Sequence, residues 1–90
     1  MLLELKVISR GRKIKISPHQ IAFGIKSAGL GVPSFFLVLH CPAKGAAELL
    51  LYRGAQAIEL FATGIDAPPL DRWPWLKVEW DALVERLASS

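Results

Sequence analysis

Apolar and polar residues alternate from Leu2 to Ile8, with Leu3, Leu5 and Val7 on one side and Glu4 and Lys6 on the other. That two-residue period predicts a strand resting on its Leu3–Leu5 face. Arg10-Gly11-Arg12 reads as a turn, and Lys13-Ile14-Lys15-Ile16 alternates again as a short, basic, solvent-facing strand or extended arm. A helix start follows, with Ser17 as N-cap, Pro18 in the first helical position and Gln20 in the third. Ile21, Ile25 and Ala28 fall at helical spacing, and Gly29 supplies a stop. Gly24 inside this helix costs about 1 kcal/mol relative to Ala, so close backbone packing or ligand approach is expected there.

The stretch SFFLVLH (34–40) is apolar on both faces, as a central strand covered from two sides would be. AELLLY and QAIELFA flank Arg53-Gly54-Ala55 and predict a hairpin. Leu49, Leu51, Ile58 and Leu60 then form its core or a dimer interface. GIDAPPLDRWPW is a Pro-rich connection, and Trp73, Trp75 and Trp80 read as a core lid in preference to a stacking platform for bases. A final helix capped near Asp81 should bury Leu83, Val84 and Leu87. The order predicts an α/β mixed sheet in a single domain, 1–90, with no internal repeat.

Composition sharpens this picture. A hydrophobic fraction of 52% is high for 90 residues and suggests apolar surface covered by a partner chain. No apolar run approaches the roughly 20 residues that span a bilayer, and the start MLLELK leads us to expect no secretory leader. Cys41 stands alone, which excludes an internal disulfide or a thiolate metal cluster and makes a reducing, intracellular setting the default. The net charge of +3 is unevenly placed: residues 1–45 hold seven Lys/Arg against one acid, Glu4, and residues 46–90 hold four against seven. So basic a first half points to a polyanion, nucleic acid foremost.

Glu4 and Lys6 carry the candidate chemistry. Residues two apart on a strand share a face, roughly 6.6 Å apart along the chain. A carboxylate there suits a divalent cation that polarises a phosphate, and an ammonium suits the charge that develops during its hydrolysis. Gln20 closes a Ser-x-x-Gln capping box and also stands where it can contact a phosphate or a water. Arg12, Lys13 and Lys15 with Arg10 form a basic cluster suited to a phosphodiester backbone. His19 at the helix start and Lys26 join the candidate nucleic-acid contacts, and His40 reads as a satisfied boundary histidine.

Together Glu4-Leu5-Lys6, the basic loop, Ser17-Pro18-His19-Gln20 opening a helix, the LGVPSF turn and the buried FFLVLH strand resemble the C-terminal part of PD-(D/E)xK nucleases. The likeness is to phage-encoded relatives of virus-type replication-repair nucleases and resolvase-like enzymes, and it covers residues 2–40. It implies a restriction-endonuclease-like sheet and Mg²⁺- or Mn²⁺-dependent hydrolysis of DNA at branched or replication intermediates, in the cytoplasm of a bacterial host. Glu4 matches the metal-binding acid, Lys6 the motif lysine and Gln20 the helix-start glutamine, and the Leu5 backbone carbonyl stands where such enzymes add a metal ligand. The family's first acid, on a preceding strand, has no counterpart before Glu4. Three sources are open: sequence upstream of Met1, a second subunit or other protein, or a migrated Glu48 or Glu59. The alternative is a non-catalytic nucleic-acid-binding module or assembly subunit.

Overall fold

Alternating and doubly apolar stretches assemble into one mixed sheet in a computed structural model that describes residues 2–9 and 11–88. Strand β1 (Leu2–Ile8) runs parallel to β2 (Ser34–His40), with Glu4 beside Phe36 and Lys6 beside Val38. Parallel pairing demands a crossover. Residues 11–17 and helix α1 (Pro18–Gly29) provide it. Strand β3 (Glu48–Arg53) lies antiparallel to β2, and β4 (Asp71–Pro74) antiparallel to β3, giving the order β1-β2-β3-β4. Helix α2 (Ala57–Thr63) follows β3, and α3 (Trp80–Ala88) closes the described chain. Among the described residues no helix is long and apolar enough to cross a membrane.

The sheet separates two cores. On one face Phe36 and Val38 of β2 and Leu50 and Tyr52 of β3 pack with Ile14, Ile16, Ala57, Leu60 and Ile65. On the other, Phe35, Leu37, Leu49, Leu51 and Trp73 pack with Leu83 of α3. β2 and β3 are therefore covered on both sides, as the unbroken apolarity of FFLVLH predicts. His40 is buried at the end of β2, as expected of a boundary histidine.

Several expectations are corrected. QAIELFA forms the second half of no hairpin: it is helical, because Gln56 caps the Arg53 N–H and Ala57 and Leu60, three apart, both reach the core. Ile58 stays exposed. β3 takes its second partner from Asp71–Pro74, inside the stretch read as a connection. Ile14 and Ile16 are buried, so the basic arm is solvent-facing only through its lysines, and it makes no strand. Leu3, Leu5 and Val7 are 44%, 64% and 64% exposed: the core that covers this face lies over β2, β3 and β4 and stops short of β1. On the helices, Ile25 and Val84 are exposed. Of the tryptophans only Trp73 joins the core, while Trp75 and Trp80 meet edge to face at the surface with centroids 6.1 Å apart.

Gly24 has a steric reason. A Cβ at this position would collide with the Gly54 carbonyl, so α1 rests directly on the turn after β3. Gly64 takes φ 63°, and a Cβ there would collide with the Arg12 carbonyl, whose oxygen accepts from the Ile65 N–H at 2.8 Å, pinning the arm.

Gly24→Ala therefore destabilises the fold by about 1–3 kcal/mol through overpacking, against the gain in helix propensity. Urea unfolding monitored by circular dichroism reads the change. A second expectation concerns Tyr52, the single tyrosine, fully buried with its hydroxyl donating to the Ala67 carbonyl at 2.8 Å. Burial raises its pKa above the ordinary value of 10.0. The folded chain then keeps the phenol proton after the unfolded chain has lost it. Stability is intact below about pH 10 and falls as pH climbs from there toward the folded pKa. In Tyr52→Phe that component of the alkaline decline disappears, as denaturant midpoints measured across the range would show.

Candidate active site

Glu4 and Lys6 lie on the same face of β1, the face that α1 approaches. Their partners across the ladder, Phe36 and Val38, belong to the core on that side. Ile8 at the end of β1 joins that core, but before it β1 presents a carboxylate and an ammonium where a central strand would present leucines. Glu4 is exposed and Lys6 half-buried.

Helix α1 reaches this pair with its first turn. The Gln20 N–H donates to Ser17 Oγ at 3.1 Å and the Ser17 N–H donates to Gln20 Oε1 at 3.1 Å, a complete capping box. The same amide group turns to the strand. Its Nε2 donates to Glu4 Oε1 at 2.7 Å and its Oε1 accepts from Lys6 Nζ at 3.0 Å. Capping and site contact, open alternatives in the sequence, coexist in one side chain. An amide suits this position because it has a donor end for the carboxylate and an acceptor end for the ammonium.

Two hollows flank the triad. On the Glu4 side a cleft of about 490 Å³ runs between α1 and the start of β2, lined by His19, Gln20, Phe23, Ser34 and Phe36 among others. On the Lys6 side a smaller hollow of about 330 Å³ is lined by Lys6, Lys13 and Lys15 with Ser9. The structure thus brings Glu4, Lys6, Gln20 and His19 together and sets Lys13 and Lys15 beside them. Lys13 Nζ donates to the Ala62 carbonyl at 2.7 Å, and Arg12 pairs with Asp66 at 2.6 Å, both at the surface. Arg12 and Lys13 thus have partners within the chain, while Lys15 is exposed beside the lysine hollow. Lys26 is exposed in the last turn of α1, away from both hollows. Arg10 lies outside the described residues.

Phe23 and Ser34 escaped the sequence reading. Phe23 sits one helical turn beyond His19 and Gln20, so the i+3/i+4 rule places it on their face. No spacing signal marks Ser34, which reaches the cleft through the crossover.

The donor set does not by itself fit a divalent cation. Mg²⁺ asks for six oxygen ligands and is held by carboxylates with waters. Glu4 is the site's one carboxylate, and among the described residues no group of three or more His, Cys, Asp or Glu lies close enough to share an ion. Glu48 is drawn to Arg72 at 3.9 Å, and Glu59 sits on α2 within reach of Gln56 at 3.4 Å. Neither has moved into the role. The Leu5 carbonyl does point outward: the Ile8 carbonyl accepts from Cys41 on the β2 side, and alternation turns Leu5 to the free edge.

The bridge is testable without any substrate. Glu4→Ala and Gln20→Ala combined in a double-mutant cycle should show a coupling of about 0.5–1 kcal/mol, small because the pair is exposed to solvent. Ser17→Ala, with Glu4→Ala, should show none, since Ser17 touches Gln20 only through the cap. No family model, curated protein or solved structure matches the chain.

Proposed function

We propose that this chain carries the catalytic strand of a Mg²⁺- or Mn²⁺-dependent endonuclease acting on DNA, at branched or replication intermediates. The observation that carries the reading is the Gln20 amide, joined at once to the Glu4 carboxylate and the Lys6 ammonium at the mouth of a cleft. Lys6 faces the hollow shared with Lys13 and Lys15, where a backbone phosphate would lie. Its ammonium neutralises charge building on the phosphate oxygens during attack. Gln20 is a positioning residue that fixes the lysine against the carboxylate. Glu4 keeps its second carboxylate oxygen for a ligand from outside the network. Arg12, Lys13, Lys15 and Lys26, with Arg10 and His19, supply sequence-independent contacts to the backbone. The restriction-endonuclease-like arrangement and a bacterial cytoplasmic setting belong to the same proposal.

One observation favours a second reading, a nucleic-acid-binding module without catalysis: among the described residues no group of three or more metal-ligating side chains gathers at the site, where Glu4 is the carboxylate. Incubation with Mn²⁺ and a four-way junction or flapped duplex separates the two. The nuclease reading expects cleavage, reduced by about 100-fold or more in both Glu4→Ala and Lys6→Ala. Binding should weaken about 100-fold from 50 to 200 mM salt if about four phosphates are contacted. Salt-sensitive binding with no cleavage, unchanged in Glu4→Ala, assigns the module instead.

A further inference from the structure

β1 is an edge strand whose outer side is unpaired in the described sheet, and the residues directed at that side are Leu3, Leu5 and Val7. Their side chains are also the exposed apolar ones, and they stand beside Phe35, Leu37 and Leu39 of the core on that face. The sheet ends with an open backbone ladder and an unfinished apolar layer. An exposed edge of this kind is a ready template for another strand, and its one lysine, Lys6, is held back by Gln20 at 3.0 Å. The apolar positions of β1 are symmetric about Leu5 while its charges are opposite, apolar, acid, apolar, base, apolar, so the strand is complementary to its own reverse.

We infer that two copies of this chain pair β1 to β1, antiparallel about Leu5, and that the two Glu4 carboxylates so brought together hold one divalent cation. The inference rests on the reading of Glu4 as a cation ligand. In that register Leu5 exchanges backbone hydrogen bonds with the partner's Leu5, and Leu3 with the partner's Val7, using the N–H and C=O groups that point outward. Glu4 then stands directly opposite the partner's Lys6, so that each acid meets a base across the axis. The apolar side chains of both copies line the opposite face and extend the unfinished layer. A shift of two residues in either direction sets Glu4 or Lys6 opposite its own kind, which is unfavourable.

The same register places the two Glu4 residues diagonally, with Cα atoms about 7–8 Å apart, within reach of a common ion for side chains of this length. A second carboxylate is what the isolated donor set lacks. The Leu5 carbonyl becomes a ladder acceptor, and the partner's carboxylate takes the place expected for it. The two Glu4–Gln20–Lys6 networks become halves of one composite site on one side of a continuous sheet.

Sedimentation velocity of the whole chain, in EDTA and in Mn²⁺, tests the pairing, and Mn²⁺ titration followed by paramagnetic resonance tests the ion. The expected results are a dimer tightened by Mn²⁺ and one ion bound per two chains. Leu5→Lys sets two ammonium groups face to face on an exposed surface and should weaken the dimer at least about 100-fold. Leu5→Pro removes the central outward N–H, a change edge strands tolerate, and should do the same. Both should lose the ion although Glu4 is intact, with circular dichroism unchanged. A chain monomeric at every concentration, a dimer indifferent to both Leu5 variants, or one ion per chain overturns the inference. Neither measurement uses cleavage. A dimer with a shared ion that leaves DNA intact upholds this inference against the nuclease reading, and a monomer that cuts DNA does the reverse.

Discussion

The contact between Gly24 and Gly54 sets the height of α1 above the sheet, and the rest of the site is built on that height. A helix carrying an ordinary side chain at position 24 would be lifted by the Gly54 carbonyl or tilted away from it. Gln20 lies one turn earlier on the same helix, and its amide spans a gap of only two hydrogen bonds, to Glu4 and to Lys6. Gly54 is constrained in turn from another side. Gly54 has no room for a side chain because Ser34 lies against it, so α1, the turn after β3 and the start of β2 are locked as one unit. The crossover from β1 to β2 thus delivers the helix start to the polar half of β1 with little freedom to miss.

Much of this was legible in the sequence, and the misreadings share a cause. β1, α1 and β2 follow from patterns within single segments: period two, a capping box with Pro18, and a doubly apolar run. The site triad was legible as residues, because Glu4 and Lys6 share a face by alternation and Gln20 stands at a fixed place in the helix. What local pattern cannot state is which face a neighbour covers. QAIELFA has the β-friendly Ile58 and Phe61, yet both are exposed, and tertiary packing of Ala57 and Leu60 decides for a helix. Leu3, Leu5 and Val7 alternate as an anchored strand should, but the core that would anchor them stops short of β1. Trp73 and Asp71 sit in a proline-rich stretch and still pair, because Pro74 ends an edge strand, where a missing N–H is tolerated.

Electrostatics follow the same division between pattern and place. The basic first half of the chain does not form one uniform patch. Arg12 is drawn to Asp66 and Lys13 to a carbonyl at the end of α2, and these attachments hold the arm over the core that Ile14 and Ile16 enter. Surface ion pairs of this sort contribute little stability, and their effect here is orientation. With the isoleucines turned inward, Lys13 and Lys15 must turn outward, and both line the hollow next to Lys6. Burial of two apolar side chains thus aims two cations.

The two cores on opposite sides of the sheet share no side chains, and they communicate only through the backbones of β2 and β3. Side chains cover β2 and β3 on both faces, so the amides that these two strands exchange with each other are the best protected of the sheet. Amides in β1, by contrast, exchange through fraying of a single ladder. The molecule therefore has a slow-exchanging centre and a fast-exchanging margin, and the candidate chemistry sits on the margin. Local opening there can rearrange Glu4 and Lys6 without disturbing the fold that presents them.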